Sequence, residues 1–190
     1  MKKGHLFIIS GPSGVGKNTV AEKLLQTIPQ LHQATTCTTR KPRPEEIDGI
    51  DYHFLSEQTF LQRIEDVAFL EWAKVHAHHY GTPKQAVIES LERGDNVLLI
   101  IDIQGALQVK NTMPKAHMIF LEPESIDQLK KQIEKRGHMD PDKLALRLKD
   151  AETEIANKNK YDHVVMNKDG ELENTVNQVI EIIESIINAN

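Results

Sequence analysis

The sequence lacks the features that mark secreted, membrane-spanning and nucleic-acid-binding proteins. Its 190 residues include one cysteine, Cys37, so no disulfide can form within the chain and a reducing compartment is expected. No apolar run approaches the roughly 18 residues of a membrane span, and the short run after His5 is too brief for a signal peptide. Basic residues number 23 against 28 acidic ones, which argues against a general nucleic-acid-binding protein. We therefore expect a cytoplasmic protein with neither nucleic acid nor a membrane as partner.

The composition is that of one folded domain. Apolar residues make up 39% of the chain and charged residues 27%, and the net charge is −5, which together exclude a disordered chain. A chain of this size buries about 70% of its surface on folding, which is enough for a full core without disulfides. The sequence is compatible with a monomer and with a homo-oligomer.

Short apolar runs alternate with segments of helical periodicity along most of the chain. The apolar runs predict buried parallel strands, because each is short and is bounded by glycine, proline or polar residues. The predicted core strands cover residues 6–10, 97–101, 117–121 and 161–166. Strands that alternate with helices predict an α/β fold, in which helices cover both faces of a parallel sheet.

Two segments interrupt this alternation. Residues 33–81 are richer in polar and β-branched side chains, and their short strands predict a second, small mixed sheet. At the end of this segment a Thr-Pro-Lys-Gln sequence has the pattern of a capping box, which predicts that Thr82 caps the next helix. Residues 126–158 are rich in charge and contain Gly137 and Pro141, which suits a mobile helical lid. The core would then comprise residues 1–32, 82–125 and 159–190.

A glycine-rich loop follows the first predicted strand and precedes the first predicted helix. It matches the pattern G-x-x-x-x-G-K, whose backbone N–H groups and lysine bind nucleotide phosphates. We expect Lys17 to neutralise the β- and γ-phosphates of the nucleotide. The residues expected at the nucleotide are Gly11, Pro12, Ser13, Gly14, Val15, Gly16, Lys17, Asn18 and Thr19.

The residue after the loop lysine departs from this motif. Ser or Thr is usual there as a Mg²⁺ ligand, but this chain has Asn18, and Thr19 would point elsewhere on the helix. Mg²⁺ is therefore expected to be held through the nucleotide phosphates and water, with Asn18 as a further candidate ligand.

A second phosphate site is predicted in the polar segment. Arg40 and Arg43 flank a stiff Lys-Pro pair, and arginine suits bidentate contact with phosphate. Tyr52 and Tyr80 can each donate a phenolic hydrogen bond to the same group. Such a basic stretch alone is more often a solvated loop, but the phosphate loop elsewhere in the chain favours a binding site.

Together these motifs resemble the guanylate kinase family, and their order and spacing match over essentially the whole chain. The matching motifs are residues 11–17, 38–43, 49–52, 69–73, 80–82, 102–105 and 136–137. The resemblance implies phosphoryl transfer from ATP to GMP, giving ADP and GDP, with Mg²⁺ as cofactor.

The resemblance also implies roles for individual residues. The residues implied to bind the GMP phosphate are Arg40, Arg43, Tyr52 and Tyr80. Those implied to bind the guanine base are Thr36, Glu71, Thr82 and Asp102. The residues implied in catalysis are Lys17, Arg43, Arg136 and Arg147. The resemblance implies that ATP binds at the glycine-rich loop and that Asn167 lies near the adenine base of ATP.

The two carboxylates suit guanine on chemical grounds. Guanine presents two adjacent donors, N1–H and the 2-amino group, which one carboxylate accepts together, whereas adenine has an unprotonated N1. An unpaired polar group in a closed site costs about 1–3 kcal/mol, so Glu71 and Asp102 predict discrimination against adenine. The alternative for Glu71 is an ordinary strand carboxylate.

Four positions depart from the family pattern. They are Asn18, Ile100, Gln132 and His79, where a hydroxyl residue, an aspartate, an arginine and a tyrosine are usual, respectively. Because Asn18 and Ile100 both bear on the expected metal, we hypothesise a weaker Mg²⁺ site than is usual for the family. The alternative for Ile100 is simple core packing.

Two other functions compete with this interpretation. A kinase acting on another small phosphate, such as ribose 1,5-bisphosphate, would keep the glycine-rich loop but would need no residues that recognise guanine. A non-catalytic guanylate-kinase-like binding module would usually lack the loop lysine. Glu71 and Asp102 count against the first alternative, and Lys17 and Arg147 count against the second.

A histidine cluster at His76, His78 and His79 could suggest a transition-metal site. However, no cysteine lies beside it, and two of the histidines are adjacent, so on a strand they would point to opposite faces. We therefore expect no metal there. Cys37 has no recognisable base, which favours a buried or loop thiol over a nucleophile.

Overall fold

Two β-sheets and seven α-helices form the part of the chain that the structure describes. The computed structural model describes residues 3–75, 77–135 and 140–189. The strands are β1 (Leu6–Ser10), β2 (Leu31–Gln33), β3 (Thr36–Thr38), β4 (Tyr52–Phe54), β5 (Phe69–Val75), β6 (His78–Pro83), β7 (Asn96–Ile100), β8 (His117–Pro123) and β9 (His163–Asn167). The helices are α1 (Lys17–Thr27), α2 (Glu57–Glu65), α3 (Lys84–Arg93), α4 (Ile103–Thr112), α5 (Ile126–Glu134), α6 (Pro141–Ala156) and α7 (Leu172–Asn188), with a short 3₁₀ helix at Lys158–Lys160.

The larger sheet is parallel throughout and has the strand order β2-β7-β1-β8-β9. It confirms the predicted α/β fold and the four predicted core strands. Sequence reasoning missed β2, because Leu31 is its single buried residue and so it carries no apolar run. The sheet places β1 at its centre, so the glycine-rich loop begins in the middle of the carboxyl edge.

Helices cover both faces of this sheet, as the alternation of strands and helices predicts. On β1, Phe7 and Ile9 face one core, which contains Val179 and Ile183 of α7. Between them, Ile8 faces the other core, which is completed by residues of α3 and α4. This two-residue alternation explains why β1 is apolar along its whole length, since neither face meets water.

The smaller sheet has the order β4-β3-β6-β5 and is mixed, as predicted for this segment. Strands β3 and β4 run parallel, whereas β6 runs antiparallel to both β3 and β5. Of the two environments expected for Cys37, the structure shows the buried one: it packs with Phe60 of α2 and Phe69 of β5. The opposite face of the sheet carries Glu71 and Tyr80, since side chains alternate along each strand.

The predicted capping box is wrong. Thr82 lies within β6, which continues to Pro83, and no described side chain caps the start of α3. The mixture of histidine, glycine and proline in β6 hid this strand from sequence reasoning. The hydroxyl group of Thr82 is instead used inside the smaller sheet, as described below.

The predicted lid segment contains two helices with conventional caps. Ser125 accepts a hydrogen bond from the Gln128 N–H at the start of α5. Asp140 accepts from the N–H groups of Asp142 and Lys143 at the start of α6. The division into core, insert and lid remains a prediction. No helix in the described ranges is long and apolar enough to cross a membrane.

Candidate active site

The glycine-rich loop joins β1 to α1 and has the conformation that phosphate binding needs. Gly14 and Gly16 have φ angles of 91° and 94°, in the left-handed region that favours glycine. No described side chain caps the start of α1, and its first turn carries no acidic residue, so its N–H groups and partial positive charge face the loop. Lys17 Nζ donates to the carbonyl oxygens of Gly11 and Pro12 at 2.5 and 3.1 Å. The Lys17 side chain therefore folds over the same loop with which it is predicted to bind phosphate.

Asn167, at the end of β9, is hydrogen-bonded to the backbone of the glycine-rich loop. Its Nδ2 donates to the Val15 carbonyl at 2.7 Å, and its Oδ1 accepts from the Thr175 hydroxyl of α7 at 2.9 Å. Both ends of the side chain are thus bonded within the protein. Asn167 fixes the backbone of the loop to α7, and its approach to the ATP base remains a prediction.

A cavity of about 170 Å³ lies on the outer side of the loop. It is lined by Gly14, Val15, Gly16, Thr19, Gln128, Gln132, Asn167, Lys168, Asp169, Gly170 and Leu172. Thr19 therefore faces a different space from Asn18, as expected from their positions on the helix.

A second cavity, of about 200 Å³, lies between the smaller sheet and the carboxyl edge of the larger sheet. It is lined by Lys17, Asn18, Thr36, Tyr52, Glu71, Ala73, Val75, Tyr80, Gly81, Ile100, Ile101 and Asp102. The structure therefore brings the loop lysine and most of the residues predicted for GMP to one space.

Glu71 lines this cavity and is paired with Thr82, which is fully buried. They lie opposite each other on β5 and β6, and the Thr82 hydroxyl donates to Glu71 Oε1 at 2.6 Å. Glu71 is 4% exposed. Burial raises the pKa of Glu71 to about 7, the nearby Asp102 charge adds to the rise, and the Thr82 hydrogen bond opposes it. At neutral pH this carboxyl group is therefore poised between its two protonation states.

Asp102 follows the central strand β7 and begins helix α4. Its Oδ1 accepts a hydrogen bond from the Gly105 N–H at 2.9 Å, as an N-cap residue does. This bond fixes the carboxylate at the cavity and on the same side as Glu71. The two carboxylates predicted for guanine are therefore neighbours.

Three of the four side chains predicted for the GMP phosphate lie together. The guanidinium of Arg40 sits 5.4 Å from the ring centre of Tyr52, whose ring meets that of Tyr80 at 6.2 Å. Arg40 also forms a two-pronged ion pair with Glu46. Arg43 is different: its side chain is 75% exposed, and its nearest carboxylate is Glu46 at 3.9 Å.

The lid segment contributes to a third cavity, of about 530 Å³, above the glycine-rich loop. Arg147 and Glu154, both on α6, line it together with Lys17 and Asp102. The Glu154 Oε2 atom is buried and has no hydrogen-bond partner among the described residues. Burial raises the pKa of Glu154 to about 7, which the charge of Lys17 opposes. Arg136, the other predicted lid arginine, lies outside the described residues.

Sequence reasoning missed Glu46 and Glu154. The spacing of Glu46, three residues after Arg43 in a proline-rich loop, could have suggested an ion pair. Glu154 gave no such signal, because it is one of seven charged residues in a helix of sixteen.

The absence of a metal at the histidines remains a prediction, and the two described histidines lie in different surroundings. His79 is buried and stacks on Phe60 with ring centres 5.4 Å apart, whereas His78 is partly exposed on β6. His76 lies outside the described residues. Within the described ranges, no cluster of three His, Cys, Asp or Glu side chains could hold a metal ion.

The fold and the site define a class of protein. A glycine-rich phosphate loop at the centre of a parallel sheet, facing a second site with paired carboxylates and an arginine beside two tyrosines, is the arrangement of a P-loop nucleotide kinase. The family model for guanylate kinase matches residues 3–186 of this chain.

Curated relatives and a solved structure give the same result. The chain is 45% identical to a guanylate kinase of Caldanaerobacter subterraneus, over 98% of this chain and 87% of that one. It is 46% identical to a guanylate kinase of Thermus thermophilus, over 87% and 74%. The crystal structure of guanylate kinase from Anaplasma phagocytophilum matches with a TM-score of 0.79 and 29% identity, covering 97% of this chain and 86% of that one. The chain belongs to the guanylate kinase family, the kinases that phosphorylate GMP at the expense of ATP.

Proposed function

We propose that the protein transfers the γ-phosphoryl group of ATP to GMP between the glycine-rich loop and the smaller sheet. The observation that carries this proposal is the cavity shared by Lys17 and Glu71, which belong to the two expected substrate sites. A phosphate held at Lys17 and a guanine held at Glu71 would lie on opposite sides of one space. This arrangement suits direct transfer between two nucleotides.

ATP binds at the glycine-rich loop, residues 11–17, followed by Asn18 and Thr19. The backbone N–H groups of the loop and of the start of α1 donate hydrogen bonds to the phosphate oxygens, and Lys17 supplies a positive charge. The bonds that Lys17 now makes to the loop carbonyls are replaced by bonds to phosphate oxygens. The adenine base occupies the outer cavity, beside Asn167 and Gln132.

GMP binds against the smaller sheet. Arg40, Tyr52 and Tyr80 hold its phosphate, and the exposed Arg43 turns inward to join them. Thr36, Glu71, Thr82 and Asp102 bind the base. When ionised, Glu71 accepts hydrogen bonds from the N1–H and 2-amino groups of guanine. Because its raised pKa favours the protonated form, Glu71 must release a proton when GMP binds.

The residues around Lys17 fit a Mg²⁺ ion. Asn18 lines the same cavity as Lys17 and carries an amide oxygen, and the buried Glu154 Oε2 atom, beside another cavity that Lys17 lines, has no partner among the described residues. Carboxylate and amide oxygens, together with substrate phosphates and water, are what Mg²⁺ prefers. When bound, the ion would neutralise charge on the phosphates of ATP.

The transfer needs no covalent intermediate on the protein. The residues position the two nucleotides in line and spread positive charge over the moving phosphoryl group. Lys17, Arg43, Arg136 and Arg147 supply that charge. Closure of the lid, residues 126–158, over the insert, residues 33–81, excludes water and so prevents hydrolysis of ATP.

The experiment that tests this proposal is a coupled assay of ADP release with ATP and Mg²⁺. Turnover is expected with GMP and not with AMP, UMP or ribose 1,5-bisphosphate. Turnover with another acceptor would mean that Glu71 and Asp102 are misassigned. GMP binding without turnover would favour a non-catalytic binding module.

Location in the cytoplasm remains a prediction from the composition.

A matched pair of lysine variants tests the assignment of the loop. Lys17→Met is expected to lower kcat on the order of 10²- to 10³-fold, because a preorganised charge at the transferring group is lost. GMP binding should be retained. Lys23 lies on the same helix as Lys17, and Lys23→Met removes a surface ion pair with Glu173 of α7, so this variant should leave kcat unchanged. Equal losses in the two variants would overturn the assignment.

A further inference from the structure

Gly105, in the first turn of α4, lies against both carboxylates at the guanine end of the cavity. Its N–H donates to Asp102 Oδ1 at 2.9 Å. On its other side is the carboxylate of Glu71. A Cβ atom added to Gly105 would lie 2.4 Å from Glu71 Oε2 and 3.0 Å from Glu71 Cδ. A side chain at position 105 and the present position of Glu71 are therefore incompatible.

The surroundings leave little room for adjustment. Trp72, the neighbour of Glu71 on β5, is tied to α4 through Gln108, whose Oε1 accepts from the Trp72 N–H and whose Nε2 donates to the Trp72 carbonyl, at 3.2 and 2.8 Å. The other carboxylate oxygen of Glu71 is held by Thr82 at 2.6 Å. Because β5 and α4 are held together, an added methyl group would displace the Glu71 carboxylate rather than the backbone.

Backbone conformation does not explain a glycine at this position. Gly105 lies inside a regular helix, where any residue adopts the required φ and ψ. Glycine is also a poorer helix former than alanine, so this helix would gain stability from alanine if nothing touched it. The close approach of Glu71 is the feature that requires the missing side chain.

We propose that Gly105 is a positioning residue that determines base specificity. Because Gly105 lacks a side chain, the Glu71 carboxylate can lie against the first turn of α4 beside Asp102. In this position the carboxylate accepts hydrogen bonds from the N1–H and 2-amino groups of guanine. The inference rests on the proposed function, because it assigns a cause to the position of a residue proposed to bind the base.

The first test is Gly105→Ala in the full-length chain. Equilibrium titration with GMP is expected to show affinity weaker by about 10- to 100-fold, the cost of unmade buried hydrogen bonds. The KM for ATP should be unchanged. The preference for GMP over IMP, which lacks the 2-amino group, should also fall, because a displaced carboxylate no longer reaches that donor. A purely structural role for Gly105 would not change this ratio.

A double-mutant cycle assigns the effect to Glu71. In the Glu71→Ala background, Gly105→Ala is expected to have no further effect on GMP affinity, because the methyl group then meets no carboxylate. If Gly105→Ala alone lowers the Tm, Glu71→Ala should restore it. A loss of Tm or of GMP affinity that persists in the Glu71→Ala background would overturn the proposal.

The remaining outcomes separate this inference from the proposed function. If wild type binds GMP and Gly105→Ala binds it equally well, with the same preference over IMP, the inference is wrong and the proposed function is unaffected. If wild type does not bind GMP, the proposed function itself fails.

Discussion

Both oxygens of the Glu46 carboxylate accept from the guanidinium of Arg40, Oε2 from Nη1 and Oε1 from Nη2, each at 2.8 Å. Glu46 Oε2 also accepts from the backbone N–H of Arg43 at 2.8 Å. This pairing lowers the pKa of Glu46 to about 2, chiefly through the Arg40 hydrogen bonds, and raises the pKa of Arg40. The ion pair therefore persists at every pH at which the enzyme would be assayed. One carboxylate thus orients Arg40 and shapes the loop that carries both arginines proposed to bind the GMP phosphate.

Glu46→Gln is expected to raise the KM for GMP by about tenfold, since an amide supplies one acceptor where two are used and carries no charge. The KM for ATP should not change, because the loop lies on the GMP side. Glu45→Gln is the matched control: it makes the same change at an exposed neighbour and should leave both constants unchanged. Tighter GMP binding in Glu46→Gln would mean that Glu46 competes with the phosphate for Arg40 rather than orienting it.

The raised pKa of Glu71 predicts a pH dependence of GMP binding. Only the ionised carboxylate accepts from both donors of guanine, so the affinity for GMP should rise as the pH increases through about 7. Isothermal titration in buffers of different ionisation enthalpy should detect proton release on binding. Glu71→Gln should bind more weakly and abolish the proton release. A release that survives this substitution would assign the proton to another group.

The same shift predicts the direction of a stability change. The folded-state pKa of Glu71 is about 7 against an ordinary value of 4.5, so the folded state holds a proton that the unfolded state releases. The stability that the protonated Glu71 contributes is fully present below pH 4.5 and is lost as the pH rises through about 7. Urea unfolding over this range should show a smaller fall in free energy of unfolding for Glu71→Gln than for wild type. An equal fall would mean that Glu71 ionises normally in the folded protein.

Asn167→Asp tests the support of the glycine-rich loop. A carboxylate cannot donate to the Val15 carbonyl, so the free energy of unfolding should fall by about 1–3 kcal/mol and the KM for ATP should rise more than that for GMP. Asn174→Asp, on the exposed side of α7, is the matched control and should change neither quantity appreciably. A KM for ATP that is unchanged in Asn167→Asp would show that the loop keeps its shape without this bond.

Asn18→Ser tests the hypothesis of a weak Mg²⁺ site. A hydroxyl ligand next to Lys17 is expected to lower the half-saturating Mg²⁺ concentration by about tenfold. Calorimetric titration of Mg²⁺ into the enzyme with ADP should show the same change without turnover. An unaltered Mg²⁺ dependence would mean that Asn18 already serves as well as serine, and would leave Ile100 as the departure to examine.

The larger sheet was predictable because its strands are apolar runs bounded by glycine, proline or polar residues. The edge strand β2 was not, since Leu31 alone is buried there. The glycine-rich loop was predictable because its residues are contiguous. Gly105 and Glu46 were not, because their roles come from contacts with Glu71 and Arg40 that depend on packing between segments. The misinterpreted Thr82 illustrates the same limit: its local sequence suits a helix cap, but its partner lies on a neighbouring strand.

The pairing of Glu71 with Thr82 is set by the alignment of two strands, with an irregularity between Phe69 and Glu71 that brings them opposite each other. A shift of one residue would turn Glu71 away from the cavity and turn Phe69 out of the small core that it shares with Cys37 and Phe60. Loss of base selection and loss of a folded insert would thus arise from the same error.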